Sequence, residues 1–284
     1  MSQPKFDAKN KCIVVTGGGS GIGAALCCAF ARAGARRIVM VDLHTLGAKE
    51  LARQIANTRT VLTPYKANVS QEDEIAGLVE FVEDKLKDPI DLFVANAGIY
   101  KNEIVNGTWI CPSLEAWDST MQVNLNQHLH VLKHVLPRFQ SRKQGHFLFT
   151  ASAAGLLIHP DSLSYTVSKA AVVSLAEWTA TCVANSTTNI GVSVLCPQAV
   201  DTPMMKQAKE DGIDPKHHLA TSDAILKASD VANTVLEHLL EGKFLILPHT
   251  VVKQYNQFKA SNTDKWISAT RYLVSKSRTA QSKL

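Results

Sequence analysis

Short runs of consecutive apolar residues alternate along this chain with longer segments whose apolar positions recur every three or four residues. The runs are Cys12–Thr16, Arg37–Asp42, Val61–Lys66, Leu92–Ala95, His146–Thr150, Gly191–Cys196 and Lys243–Leu247. They are nearly continuous in Val, Ile, Leu and Phe, which suits strands buried on both faces. The segments between them predict amphipathic helices over Gly21–Ala33, Leu46–Ala56, Gln71–Leu86, Ser113–Leu136, Ser164–Ala184 and Ser229–Leu240. Ser70, with Asp73 three residues on, and Ser229 are placed as N-caps. Strand–helix alternation of this kind predicts an α/β fold: a doubly wound parallel sheet of about seven strands with helices on both faces. Residues 1–250 hold that pattern. Residues 251–284 add a helical extension broken at Ser261-Asn262-Thr263, and Pro203–Leu226 suggests an insertion near the carboxyl edge of the sheet.

Charge changes the picture only at the end of the chain. The formal net charge is +5. The last stretch carries Lys253, Lys259, Lys265, Arg271, Lys276, Arg278 and Lys283 against Asp264, which leaves the preceding 250 residues close to neutral. Two readings stand: a solvated helix face, or a site for anionic groups such as a lipid surface or a substrate phosphate. No basic arm with interleaved aromatics is present, so a nucleic-acid partner is not expected. Cys12, Cys27, Cys28, Cys111, Cys182 and Cys196 form no C-x-x-C pair and read as core fillers in a reducing compartment, with no metal site. The amino end lacks an apolar signal core, and no apolar stretch is long enough to span a bilayer. Ser282-Lys283-Leu284 matches the peroxisomal import address, which predicts a peroxisomal location and an import receptor as partner, reached through a loose polar lead-in over Ser275–Gln281.

The first strand runs into Thr16-Gly17-Gly18-Gly19-Ser20-Gly21-Ile22-Gly23 and then a helix. Glycines there permit positive φ and let a pyrophosphate approach the backbone, while the helix start offers free N–H groups. A glycine cluster alone is a weak signal. Asp42, at the end of the second strand, strengthens it: a carboxylate there accepts from ribose hydroxyls and repels a 2′-phosphate. Taken singly, Asp42 could also be a loop acid or a helix cap. No Lys or Arg lies within Gly17–Gly23, Leu43 follows the acid, and Arg36 and Arg37 precede the strand. These features favour NAD over NADP.

The G-x-x-x-G-x-G spacing of Gly17, Gly21 and Gly23 resembles the single-domain branch of the short-chain dehydrogenase/reductase family, over roughly residues 8–250. Asn96-Ala97-Gly98, Asn124, Ser152, Tyr165-x-x-x-Lys169, Pro197, Val200 and Thr202 follow in the order that family shows. The resemblance implies a Rossmann-type fold that holds NAD and moves hydride between a carbinol and a ketone carbon. It further implies a cofactor site of Gly17, Gly19, Ser20, Gly21, Ile22, Gly23, Asp42, Leu43, Asn68, Val69, Asn96, Ala97, Gly98, Tyr165, Lys169, Pro197, Val200 and Thr202. Catalytic roles are implied for Asn124, Ser152, Tyr165 and Lys169, and a homodimer or homotetramer built on the Ser113 and Ser164 helices. Two positions depart from the pattern. Asn68 replaces an adenine-contacting acid, and Gln198 replaces a glycine after Pro197.

The chemistry gives these residue types a reason. A phenol is a poor base at neutral pH, and a lysine one turn away on the same helix face favours phenolate. Ser152 is suited to bond the substrate oxygen, and the resemblance gives Asn124 a water that relays protons from Lys169. Tyr/Lys spacing alone is ambiguous, since Tyr255/Lys259 and Tyr272/Lys276 share it. Only Tyr165 has a serine thirteen residues upstream. Ala153–Ile158, Met204, Met205 and Ile99 are expected to line an apolar cleft, with His159 facing solvent, which points to a small lipophilic alcohol or ketone. A non-catalytic NAD-binding sensor on the same scaffold is the alternative reading, and a membrane-surface role for the basic tail is a third.

Overall fold

A computed structural model describes residues 3–281 apart from 56–57, 106–107, 185–187 and 211–223. In chain order the elements are β1 (Cys12–Thr16), α1 (Gly21–Arg32), β2 (Arg37–Asp42), α2 (Thr45–Gln54), β3 (Val61–Lys66), α3 (Glu72–Glu80), β4 (Leu92–Ala95), β5 (Ile104–Val105), β6 (Thr108–Trp109), α4 (Leu114–Met121), α5 (Gln127–Arg142), β7 (Gln144–Thr150), α6 (Ala153–Leu156), α7 (Leu163–Cys182), β8 (Asn189–Leu195), β9 (Val200–Asp201), α8 (Pro203–Glu210), β10 (Leu226–Lys227), α9 (Ala228–Glu241), β11 (Leu245–Ile246), α10 (Val251–Ser261) and α11 (Thr263–Gln281).

Seven parallel strands form the main sheet in the order β11-β8-β7-β4-β1-β2-β3. The order reverses direction between β1 and β4, the place where such sheets open a crevice at their carboxyl ends. Period-two alternation sends the strand residues to opposite faces. Val14, Val39, Phe93, Phe147 and Val192 pack with Ile75 of α3, Val135 and Phe139 of α5, and Val172 of α7. Ile13, Val15, Ile38, Met40 and Leu148 pack with Leu26 and Phe30 of α1 and with Val231 and Val235 of α9. The fold expected from the alternation of runs is the fold found.

Several local expectations are corrected. Ser70 and Ser229 are not caps: Gln71 and Lys227 occupy the N-cap positions, and neither makes a side-chain cap bond. The Ser70 hydroxyl instead donates to Asn68 Oδ1 at 2.8 Å, and Ser229 to Asp230 Oδ1 at 3.3 Å. Local side-chain partners compete with the helix end for such hydroxyls. The Ser113 helix is interrupted by a π-helical turn over Gln122–Asn126 and runs past Pro137 to Arg142. Cys111 and Cys182 are exposed, so they are not core fillers, although Cys12, Cys27 and Cys196 are buried. The extension is helical through Gln281 rather than loose over Ser275–Gln281. Ser282-Lys283-Leu284 and most of Pro203–Leu226 lie outside the described residues. No helix among the described residues is long and apolar enough to cross a membrane, and no cluster of metal-ligating side chains occurs among them.

Candidate active site

The carboxyl ends of β1, β4, β7 and β8 open into one cleft of about 820 Å3. Gly17, Ser20, Gly21 and Ile22 line one side, Asn96, Ala97 and Gly98 the floor, and Ser152, Tyr165, Lys169, Pro197, Val200 and Thr202 the other side. The structure therefore gathers most of the sequence-predicted residues around a single space. Gly19, Gly23, Asp42, Leu43, Asn68, Val69 and Asn124 do not line it.

The glycine turn has the shape that a phosphate needs. Gly17 and Gly21 take positive φ of 65° and 53°, which disfavours any side chain. A side chain on Gly23 would overlap the Gly17 carbonyl, so α1 sits directly against the turn. Ser20 makes no side-chain cap bond, so it does not satisfy the first amides of α1, whose N–H groups have no intrahelical partner. Asp42 shapes the outer edge: Gly19 N donates to its Oδ2 at 3.0 Å and His44 N to its Oδ1 at 3.4 Å. Arg36 and Arg37 lie at the other end of the sheet, where both pair with Asp88. A dinucleotide fits this arrangement. It needs a Cβ-free turn against a helix start and an acid at the end of β2, and both are present. Asn68 is placed differently from expectation, because its Oδ1 accepts from both Ser70 N and Ser70 Oγ. An Asx turn therefore occupies the acceptor expected for adenine.

The floor is held by Thr16, whose hydroxyl accepts from Asn96 N at 2.8 Å and Ala97 N at 3.0 Å, while Asn96 Nδ2 donates to Thr16 O at 2.9 Å. Asn124 is fully buried on the π-helical turn. Its Oδ1 accepts from Ile99 N at 2.8 Å, and its Nδ2 donates to Ile99 O at 2.9 Å and Ser168 Oγ at 3.2 Å. The side chain therefore clamps the peptide of Ile99. A π-turn at such a point is common where a helix is bent for function.

Ser152 caps the short helix α6, accepting from Ala154 N at 3.1 Å. Its hydroxyl also donates to Pro197 O at 3.4 Å. Burial pushes the Tyr165 phenol up, and the neighbouring Ser152 hydroxyl pulls it back down. Lys169 was expected to be the group that lowers it. In this geometry Lys169 Nζ donates to Thr150 O at 2.9 Å and stands 5.7 Å from the Tyr165 ring centre. Its own desolvation dominates and lowers its pKa to about 8. His159 faces the cleft rather than solvent: its ring sits edge-on to Tyr165 at 6.0 Å, and Tyr100 packs against both.

Two residues that position the site were not found by sequence reasoning. The buried Glu103 carboxylate sits at the N-terminus of α7, accepting from Leu163 N at 2.6 Å, Ser164 N at 3.2 Å and the hydroxyls of Ser162 and Ser164. An anion there complements the helix dipole. Buried His249 accepts from Gln198 N at 3.2 Å through Nδ1 and meets Ala199 O at 3.1 Å, fixing the loop after Pro197. The basic extension folds over the cleft, where Tyr255, Phe258, Trp266, Ala269, Thr270 and Leu273 line the wall farthest in sequence from the glycine turn. Lys259 Nζ donates to Leu156 O at 2.7 Å and Leu157 O at 2.9 Å. It is thus a tether, while Lys253, Lys265 and Arg271 are exposed.

A parallel sheet with a glycine turn after β1, and a serine, tyrosine and lysine converging at the ends of β7 and α7, defines a nucleotide-dependent oxidoreductase scaffold. Residues 11–212 match the family model for short chain dehydrogenase, and the chain belongs to that family. It is similar to 1-deoxy-11-beta-hydroxypentalenate dehydrogenase of Streptomyces arenae, with 31% identity over 86% of this chain and 84% of that protein. It is also similar to the 3-oxoacyl-[acyl-carrier-protein] reductase of Thermotoga maritima, with 28% identity over 80% of this chain and 89% of the relative. Among solved structures, a Burkholderia phymatum short chain dehydrogenase/reductase in complex with NAD superposes with a TM-score of 0.77 at 24% identity. The match covers 91% of this chain and 96% of that one.

Proposed function

We propose that this protein is an NAD-dependent dehydrogenase that interconverts a lipophilic secondary alcohol and its ketone, with Tyr165 as acid/base. The observation that carries the reading is the convergence of Ser152, Tyr165 and Lys169 on a cleft with a glycine cradle on one side and apolar walls on the other. In the oxidative direction Tyr165 takes the hydroxyl proton while Ser152 donates to the same oxygen and steadies the developing charge. Bound NAD supplies the hydride acceptor and a positive ring. Lys169 adds its charge to favour phenolate, and Asn124 holds the Ile99 peptide that borders the space around Lys169.

The glycine turn, Asn96–Gly98, Pro197, Val200 and Thr202 are assigned to cofactor binding, with Gly19, Asp42, Leu43 and Val69 at its adenosine end. Preference for NAD is supported by the Asp42 carboxylate and by the distance of Arg36 and Arg37 from it along β2. An apolar substrate is supported by Ile158, Met204, Met205 and Leu273 on the wall, and by the hydroxypentalenate and 3-oxoacyl groups in the names of the relatives above. Leu129 and Trp178, 51% and 62% exposed on α5 and α7, support a homo-oligomer through those helices. Light scattering of Trp178→Glu tests this by loss of the larger species. Import by a peroxisomal receptor is supported by Ser282-Lys283-Leu284. It is tested by comparing the location of an amino-terminal fluorescent fusion with and without those three residues.

The direct test follows absorbance at 340 nm with NAD and a panel of secondary alcohols, from short to long chain. Turnover that Tyr165→Phe removes supports the assignment. Turnover that survives in Tyr165→Phe rejects the mechanism, and tight NAD binding with no turnover of any alcohol favours a sensor.

A further inference from the structure

The carboxyl edge of the sheet continues past the glycine turn through two neighbouring strand ends. β1 pairs with β2, and β2 pairs with β3 as far as Asp42 opposite Lys66. Beyond the strands Ala67 N donates to Asp42 O at 3.1 Å, so Asn68 follows directly beside the acid. Each half of a dinucleotide has a fixed covalent order of phosphate, ribose and base. With the phosphate on the turn after β1 and the ribose at Asp42, the base falls toward the end of β3, where Asn68 stands.

Three of the four polar groups of Asn68 are already engaged. Its N–H donates to Glu74 Oε2 at 2.8 Å, and its carbonyl accepts from Gln71 N at 3.0 Å. Its Oδ1 accepts from Ser70 N at 3.1 Å and from Ser70 Oγ at 2.8 Å. These bonds also fix which way round the amide sits. A backbone N–H only donates, so the atom turned to Ser70 is the oxygen and the flipped amide is excluded. Nδ2 is the arm left over. It has no hydrogen-bond partner among the described residues, and it is open to solvent on a half-buried side chain. The Asp42 oxygens meanwhile receive Gly19 N and His44 N. The side-chain group still available at the end of β3 is therefore a donor. A carboxylate in the same turn would keep one oxygen on Ser70 and leave the other as an acceptor.

We propose that Asn68 offers the cofactor's base a donor where the 6-amino group of adenine needs an acceptor, so that this site does not select adenine and takes a dinucleotide with a 6-oxo purine at least as well. The proposal rests on the dinucleotide-binding part of the reading above and concerns which base that cofactor carries. Adenine presents N–H groups at position 6, and two donors face to face form no bond. Hypoxanthine presents a carbonyl there, which accepts from Nδ2. The glycine turn and Asp42 meet phosphate and ribose groups that both dinucleotides share.

The test is calorimetric titration of the full chain, without substrate, with NAD and with nicotinamide hypoxanthine dinucleotide, which differs from NAD only in its purine. The readout is binding and does not depend on turnover. The wild type is expected to bind the two within about twofold, or the hypoxanthine form more tightly. Asn68→Asp returns an acceptor and should favour NAD by about fivefold, roughly what one partly exposed hydrogen bond contributes. The wild-type ratio is decisive even where the variant fails to fold. NAD bound more than about twofold tighter by the wild type overturns the proposal, because an acceptor then reaches the amino group from elsewhere. An unchanged ratio in a folded Asn68→Asp overturns it too, since residue 68 would then not meet the base. Either result leaves the dehydrogenase reading intact. Binding of neither dinucleotide by the wild type rejects both.

Discussion

The two sides of the cleft are built on different principles. The cofactor side is made from backbone: a turn freed of side chains at Gly17, Gly21 and Gly23, a helix start, and a floor bound by Thr16 and Asn96. The far side is made from side chains of α10 and α11, about a hundred residues beyond the serine they face, and is held by one lysine tether and a helix cap. The first is constrained by the shape of a phosphate chain and leaves a short local signature. The second is constrained only by the shape of whatever it covers, and leaves none.

That contrast can be broken or sharpened by experiment. The largest effect belongs to the chemistry between the two sides. Tyr165→Phe should lower kcat by about 10^2 to 10^4 while NAD still binds, checked by steady-state kinetics and cofactor titration. Loss of NAD binding instead would mean the tyrosine is structural. Next is the anchor of the catalytic helix. Glu103→Leu strips acceptors from two amides and two hydroxyls at the start of α7 and should cost about 3 kcal/mol of unfolding free energy in urea. Glu103→Gln should recover part of that loss.

Acid should attack the sheet rather than the wall. His128 and His146 are buried and held down to about 3, chiefly by desolvation. The unfolded chain takes up a proton at each below about 6.5, whereas the folded protein does not until near 3. Stability is therefore lost as pH falls through this window, by up to about 1.4 kcal/mol per histidine per pH unit. Chemical unfolding at pH 7, 6 and 5 measures this, and His146→Gln should flatten the slope. A pH-independent midpoint would contradict the burial argument.

Asp42→Ala should weaken NAD by about tenfold and relax discrimination against NADP, because the acid both braces Gly19 and faces the ribose end. The smallest effect is expected at the tether. Lys259→Met removes two bonds to the carbonyls of Leu156 and Leu157 and should raise KM for long-chain substrates about threefold while leaving kcat and NAD affinity alone. A fall in kcat equal to the rise in KM would show that the extension positions Ser152 as well as the substrate.

Much of this molecule was legible in one dimension. β1, β2 and β4 were read with their observed ends, because buried parallel strands are continuous apolar runs bounded by polar turns, and the half-exposed edge strand β3 was read to its observed ends as well. Ser152, Tyr165 and Lys169 were legible through a shared spacing. Tyr255 and Lys259 carry the same four-residue interval and serve the wall instead, so the interval had meaning only beside a serine after a strand. Glu103 and His249 were missed for a plain reason: their partners lie 60 and 51 residues away, and neither sits in a local pattern. His159 was expected to face solvent, and its ring contact with Tyr165 depends on how the loop after α6 folds back.

By itself the sequence determined the sheet, the glycine turn and the spacing that sets Ser152, Tyr165 and Lys169 apart from the other tyrosine–lysine pairs, since period, turn chemistry and helix spacing are local properties of the chain. Tertiary structure decided that Lys169 bonds Thr150 and is desolvated, that His159 packs on Tyr165, and that a basic tail becomes a wall of the cleft. Those outcomes depend on burial and on contacts between distant segments, and neither is set until the chain has closed on itself.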